Sequence, residues 1–161
     1  MSFHFFVFIS SFSKQILEIA NERERKEELF MSRNTKEKMV VFSVGAAAYT
    51  LIELLWRQHT HWSMTLTGGT CFTILYQIYN RWKAMPLTKK CLIGSGVITA
   101  VEFVVGVVVN IWQKWNVWDY SGMQFNLLGQ ICLLYSSLWF FLSIPIVYIS
   151  KKLKIRLQRV L

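Results

Sequence analysis

The chain has 161 residues, 53% of them hydrophobic and 17% charged, and a formal net charge of +9. Soluble domains carry about 25% charged residues, so an ordinary water-soluble enzyme is excluded at the outset. The charges stand in short blocks between long apolar runs, which points to a membrane protein rather than a nucleic-acid binder. Cys71, Cys91 and Cys132 have no C-x-x-C spacing, so neither a disulfide framework nor a zinc cluster is expected.

The first thirty residues differ from the rest. Phe3–Phe12 is apolar but too short to span a bilayer, and no basic residue precedes it as a signal peptide would require. Asn21–Glu28 is a dense mixed-charge run that suits a solvated helix or disorder. Lys26-Glu27-Glu28 can be encoded by a purine-rich ribosome-binding sequence just ahead of Met31. Two readings follow: translation begins at Met31 and residues 1–30 are a false upstream start, or the segment is a genuine amphipathic cytoplasmic helix.

Four stretches are long enough to cross a hydrocarbon core, which takes about 20 apolar residues in a helix. They are about Met39–Trp56, Trp62–Asn80, Cys91–Trp112 and Leu127–Ile149. Helix is the conformation required, because lipid offers the backbone no hydrogen-bond partners. The expected fold is therefore all-α, an integral membrane four-helix bundle. Residues 1–38 form an N-terminal segment, 39–150 the four-span domain and 151–161 a basic tail. Arg33, Lys36, Lys38, Arg81, Lys83, Lys89, Lys90, Lys151, Lys152, Lys154, Arg156 and Arg159 fall on one side, against Arg57 and Lys114 on the other. By the positive-inside rule both termini are cytoplasmic, in a bacterial cytoplasmic membrane, and the tail answers to anionic lipid. Trp56, Trp62, Trp112, Trp115 and Trp118 mark the outer boundary as interfacial aromatics.

The two halves share a pattern. Thr50 and Glu53 of the first span match Thr99 and Glu102 of the third, and Gly68 and Cys71 of the second match Gly129 and Cys132 of the fourth. This is the signature of two parallel helical-hairpin repeats, with chance similarity as the competing explanation. The second half carries twelve additional residues in its outer loop, around Asn116–Leu127. There Asp119, Tyr120 and Ser121 can nucleate a turn, and Asn126 is a suitable N-cap for the fourth helix. The loop is expected to fold back on the helix ends, as structure or as an outer gate.

Glu53 and Glu102 are the only acidic residues inside expected spans. A membrane carboxylate is costly and normally faces the bundle interior with a partner. Arg57, four residues after Glu53, is such a partner on the same helix face. Glu102 has no cation on its own helix but lies on a polar stripe with Ser95, Thr99, Gly106 and Asn110. Ser63, Thr67, Thr70, Gln77 and Arg81 form a comparable stripe on the second span, and Gln130 and Ser137 face them from the fourth, where Pro145 would introduce a kink. Gly68, Gly69, Gly94, Gly96 and Gly106 would let the helices approach closely. The stripes read either as an ion or substrate path or as hydrogen-bonded glue between helices.

His59 and His61 form an H-x-H, which without a third ligand reads as interfacial polarity rather than a metal site. There is no phosphate-binding loop, nucleophile elbow or H-E-x-x-H. No enzymatic activity, cofactor or metal is expected, and ATP-driven work would need a separate ATPase chain.

Glu53-Leu54-Leu55-Trp56-Arg57, Thr60-His61-Trp62-Ser63-Met64 and Gly68-Gly69 resemble the first hairpin of the bacterial ABC-transporter permease family (type IV, CmpB-like). Glu102-Phe103-Val104-Val105-Gly106, Trp118-Asp119-Tyr120-Ser121, Phe125-Asn126, Gly129-Gln130-Ile131-Cys132 and Trp139 resemble its second half more strongly. The resemblance covers roughly Met39–Lys152. Many members carry G-[FY]-L-Y-G-P after the first span, where this chain has Trp62–Gly69, so it represents a divergent branch. The resemblance implies a small permease-like or transport-associated subunit in the lipid bilayer, working as a homo-oligomer or with an ATPase or other membrane subunit. Glu53, Arg57, Glu102 and Asn110 would line its interior. Trp118, Asp119, Tyr120, Ser121, Asn126, Gly129 and Gln130 would form its outer cap. Two alternatives remain open: a proton-coupled multidrug-type exporter acting as an oligomer, and a non-transporting scaffold or regulator.

Overall fold

A computed structural model describes the backbone of residues 2–160; the side chains of residues 2–14, 16, 17 and 30, and with them most of the apolar Phe3–Phe12 stretch, lie outside the described residues. The chain forms four helices: α1 (Ser2–Arg57), α2 (Trp62–Arg81), α3 (Leu87–Gly106) and α4 (Leu133–Val160). A π-helical turn, Val107–Trp112, continues α3, and a two-residue antiparallel ladder, β1 (Asn126–Leu127) with β2 (Ile131–Cys132), precedes α4. Two compact units result, Met1–Glu37 and Lys38–Leu161.

The first unit is the N-terminal part of α1. Its mixed charges pair at helical spacing, Lys26 with Glu22 at 3.7 Å and Arg23 with Glu27 at 3.4 Å. Both pairs are exposed, so each stabilises the helix by no more than about 0.5 kcal/mol.

The second unit holds the bundle. α1 stops where Gln58 turns to φ +59° and its N–H closes on Leu54 O at 3.0 Å, a left-handed helix cap. α2 starts at His61, whose Nδ1 accepts from the Ser63 N–H at 3.3 Å. The H-x-H motif is thus split between two local tasks, since His59 Nδ1 lies 2.7 Å from Arg57 O. Among the described residues no group of His, Cys, Asp and Glu could hold a metal ion.

Among the described residues, three helical stretches are long and apolar enough to cross a membrane: Glu18–Arg57, Leu87–Trp112 and Leu133–Val160. Little of each apolar window is buried within the protein, and Leu51, Leu55, Leu92, Val104 and Phe141 are exposed. A surface of this kind is covered by lipid in a membrane protein. α2, expected as a full span, is not among the three stretches. Its polar and small residues have a packing reason: Ser63, Thr67, Gly68, Gly69, Cys71, Leu75 and Tyr79 are buried against its neighbours.

Leu75, Tyr79, Ile98 and Trp139 form the main core between α2, α3 and α4. Val41, Phe72, Tyr76 and Leu157 form a second cluster, and Met64, Val109 and Trp118 a third beneath the long loop. The fourth span departs from expectation. Residues 127–132 belong to the ladder and its turn, and the helix runs instead from Leu133 to Val160, continuing through Pro145 and the basic tail. Hydropathy alone cannot register that Gly129 sits at φ +67° and Leu128 at +52°, conformations incompatible with a helix. The duplicated pattern is therefore unequal: Gly68 and Cys71 lie within α2, whereas Gly129 is a turn residue and Cys132 a ladder residue.

Close helix approach depends on particular glycines. A methyl at Gly68 would overlap Tyr49 of α1, one at Gly45 would overlap Phe72, and one at Gly94 would overlap Ser143 Oγ and the Tyr79 hydroxyl. Gly96, expected to share this role, has nothing within 4 Å. Gly94→Ala is therefore expected to lower stability by about 1–3 kcal/mol through overpacking. Gly96→Ala is expected to be neutral or stabilising by up to about 1 kcal/mol, since it removes a helix-interior glycine. Thermal melting of the two variants in detergent measures the contrast.

Candidate functional site

The third span carries the site. Ser95, Thr99, Glu102, Gly106 and Asn110 recur at three- and four-residue spacing and face inward as expected. Ser95 Oγ donates to Ser136 O at 2.5 Å, and Thr99 Oγ1 donates to Ser136 Oγ at 3.1 Å. These bonds make a polar seam between α3 and α4 that leads to Glu102.

Glu102 is buried, with 3% of its surface exposed. Its Oε2 accepts from Trp139 Nε1 at 2.8 Å, and its Oε1 accepts from the Tyr120 hydroxyl at 3.1 Å. Among the described residues, no cation forms an ion pair with it. Tyr120 stacks on Tyr135 with ring centroids 4.6 Å apart, so both donors are fixed by aromatic packing. Burial, and next the Glu102 carboxylate, push the Tyr120 hydroxyl well above its ordinary range, which keeps it protonated and donating.

One π-helical turn beyond, Asn110 Nδ2 donates to Gln130 Oε1 at 2.8 Å and Asn110 Oδ1 accepts from the Val117 N–H at 2.7 Å. Gln130 Nε2 donates to Leu128 O at 2.9 Å, and its own carbonyl accepts from Trp118 Nε1 at 2.9 Å. Gly106 leaves room for this junction: a methyl there would approach Gln130 Oε1 to 2.6 Å and the Trp118 ring to 2.9 Å. Trp118, expected at the interface with the other outer tryptophans, is instead 5% exposed, because its indole is needed beneath the loop. Trp56, Trp62, Trp112 and Trp115 remain exposed.

The loop itself is tied by side chains. Asp119 Oδ1 accepts from the Ser121 N–H at 2.8 Å and Oδ2 from Ser121 Oγ at 2.9 Å. The Ser121 backbone bond, then its hydroxyl bond, hold the Asp119 carboxyl below the usual carboxylate range. Asn126 does not cap α4, which begins at Leu133. Its Nδ2 donates to Met123 O at 2.8 Å and Ser121 O at 3.2 Å, and its Oδ1 accepts from the Gly129 N–H at 3.0 Å. Gly129 is required twice over, by its φ of +67° and because a methyl would come within 2.8 Å of Asp119 Oδ1.

The second carboxylate has its own set of partners. Glu53 Oε1 accepts from Arg57 Nη1 at 3.2 Å and Oε2 from Thr60 Oγ1 at 3.0 Å, while Arg57 Nη2 donates to Val117 O at 2.7 Å. Glu53 and Arg57 thus fasten the end of α1 to the long loop. A cleft of about 630 Å³ opens beside them, lined by Tyr49, Glu53, Arg57, Tyr120, Tyr135 and Trp139 among others. A smaller cavity of about 180 Å³ is lined by Tyr49, Thr67, Gly68, Cys71, Glu102 and Trp139 among others. Tyr49, Ile52, Trp139, Leu142 and Pro145 line both, so the two spaces adjoin along these residues.

The remaining stripes are only partly inward. Ser63 and Thr67 are buried, but Thr70, Gln77, Arg81 and Ser137 are exposed. Ser143, fully buried on α4, donates to Trp139 O at 2.8 Å. The sequence reading assigned no role to Ser143, Thr60 or Tyr135, and it named Trp139 only as part of a motif. Thr60 and Trp139 reach Glu53 and Glu102 from 7 and 37 residues away, and Tyr135 and Ser143 act through Tyr120 and Trp139, which the spacing of one helix does not register.

A family model described as "Putative ABC-transporter type IV" matches residues 5–160. The match extends well beyond Met39–Lys152 and takes in most of the first thirty residues. No curated protein and no solved structure matches the chain.

Two outcomes test this geometry. Gln130→Ala leaves the buried Asn110 amide without its acceptor and is expected to cost about 1–3 kcal/mol, read by thermal melting. For Asp119 the folded carboxyl titrates below its unfolded value of about 3.9, so its contribution is full above that pH and lost as the pH falls through the folded value. The amide-exchange protection factors of the Asp119–Asn126 loop, taken relative to the intrinsic rate at each pH, are expected to fall on acidification in the native chain. In Asp119→Asn they are expected to be independent of pH over the same range.

Proposed function

The chain belongs to the ABC-transporter type IV family, and from that premise we propose that it works as a permease-like, transport-associated membrane subunit. The observation that carries this reading is the Glu102 carboxylate. It lines a cavity that adjoins a wider cleft along Tyr49, Ile52, Trp139, Leu142 and Pro145. Membrane carboxylates of this kind normally belong to substrate or ion pathways. In this reading Trp139 and Tyr120 set the carboxylate's position, and the Trp118–Gly129 loop caps the cleft on the outer face. Glu53 with Arg57 anchors that cap. Both termini lie in the cytoplasm of a bacterial cell, and energy comes from a separate ATPase chain, since this chain performs no catalysis of its own.

A second reading rests on the same cleft. Its walls combine Trp56, Tyr49, Tyr135 and Phe141 with acidic groups, a chemistry that suits a hydrophobic cation exchanged for protons by an oligomer. Affinity purification of the full chain from native membranes separates the readings. Recovery of a nucleotide-binding ATPase is expected for the permease. An unrelated enzyme would favour a scaffold, and a self-assembled oligomer with proton-gradient-dependent efflux of ethidium would favour the exporter. Glu102→Gln is expected to keep expression and partner recovery while abolishing the coupled activity. Undiminished activity would remove Glu102 from the mechanism, and failure to accumulate would assign it to packing.

A further inference from the structure

At the end of the bundle opposite the Trp118 loop, a cavity of about 550 Å³ opens between the end of α2, the turn to α3 and the second half of α4. We propose that it is a binding site for the phosphate-bearing headgroup of an anionic lipid, held by Lys83, Lys90 and Lys151.

The lysines come from three parts of the chain: Lys83 from the α2–α3 turn, Lys90 from the first turn of α3 and Lys151 from α4, with Lys154 one turn further on the same wall. Among the described residues no carboxylate lines the cavity. The acidic residues of the Lys38–Leu161 unit are engaged elsewhere: Glu53 with Arg57 and Thr60, Glu102 with Tyr120 and Trp139, and Asp119 with Ser121. Among the described residues, Lys83, Lys90 and Lys151 thus border a volume that no carboxylate lines, an arrangement that an incoming anion stabilises.

The site also has fixed parts. Lys90 Nζ donates to Lys83 O at 3.1 Å, which positions its ammonium and leaves two further donors for a ligand. The Tyr79 hydroxyl donates to Lys90 O at 3.0 Å and ties the first turn of α3 to α2. Lys154 Nζ stands 5.9 Å from the centre of the Tyr76 ring, directed along the same wall.

Two observations favour a lipid over a free phosphate compound. The lysines sit where the apolar runs of α3 and α4 end, the depth at which headgroup phosphates lie. The lining also includes the apolar side chains Met85, Leu87, Val147 and Ile155, beside Asn80, Gln158 and two tyrosines. Leu87, Tyr148 and Ile155 are themselves exposed, a surface that an acyl chain can follow. The site is independent of the transport reading and needs only a chain embedded in a bilayer.

Native mass spectrometry of the full chain, released from nanodiscs containing equal phosphatidylglycerol and phosphatidylcholine, provides the test. Phosphatidylglycerol is expected to be retained preferentially. Lys90→Gln with Lys151→Gln is expected to reduce that retention about tenfold, whereas Lys114→Gln at the other end leaves it unchanged. Inorganic phosphate at millimolar concentration is expected not to displace the lipid. Undiminished preference in the double variant overturns the site. Displacement by inorganic phosphate overturns the lipid assignment in favour of a soluble phosphate compound. Should the double variant fail to fold, Lys83→Gln, whose side chain is exposed, provides the same readout with the same two overturning results.

Discussion

A carboxylate buried in an apolar bundle needs hydrogen-bond donors, and the placement of Glu102 organises much of what surrounds it. Its two donors come from positions 18 and 37 residues further along the chain. Tyr120 can reach it only if the long loop folds back over α3, and Trp139 only if α4 packs along the same face. Tyr120 then stacks on Tyr135, one turn before Trp139 on α4, so loop and helix hold the same oxygen pair together. A buried acid without these donors would carry the full desolvation cost of the group. The loop, α3 and α4 are therefore fixed as a set rather than pairwise.

The junction at Gln130 extends the same logic by one π-helical turn. The wider turn at Val107–Trp112 presents Asn110 to Gln130, and π-helical insertions of this kind are frequent where a helix carries function. Arg57 then joins α1 to this assembly through Val117 O, next to the Val117 N–H that Asn110 accepts. Four separate segments thus meet within a short stretch of loop backbone. The loop is ordered by these side-chain bonds together with the Met64, Val109 and Trp118 cluster beneath it.

Charge is divided between the two ends of the bundle. The three acidic residues of the second unit are all engaged at the loop end, while lysines gather around the opposite cavity. A net charge of +9 is thus less a property of the whole surface than of one end. In the proposed lipid site that end meets the headgroup layer, where its ammonium groups find anionic partners.

Much of the architecture was legible as hydropathy and periodicity. The second helix was placed within one residue of its observed ends, and the inward stripe of α3 from Ser95 to Asn110 was read correctly because a single helix enforces its own spacing. The Glu53–Arg57 pair was legible for the same reason. Errors arose where the chain left the helix. Leu127 and Leu128 read as the start of a span, but the positive φ at Leu128 and Gly129 belongs to a turn. On α2 the polar stripe continued on paper through Gln77 and Arg81, whereas the packed face follows Leu75 and Tyr79 instead.

The amino-acid sequence by itself determined the membrane class, the helices and the two acidic positions, because lipid restricts the backbone to helix and makes each buried charge conspicuous. Only the tertiary structure decided which groups besides Arg57 meet those acids. Trp139 and Tyr120 become partners of Glu102 through chain reversal and helix packing, and that pairing depends on long-range contacts that no local period encodes.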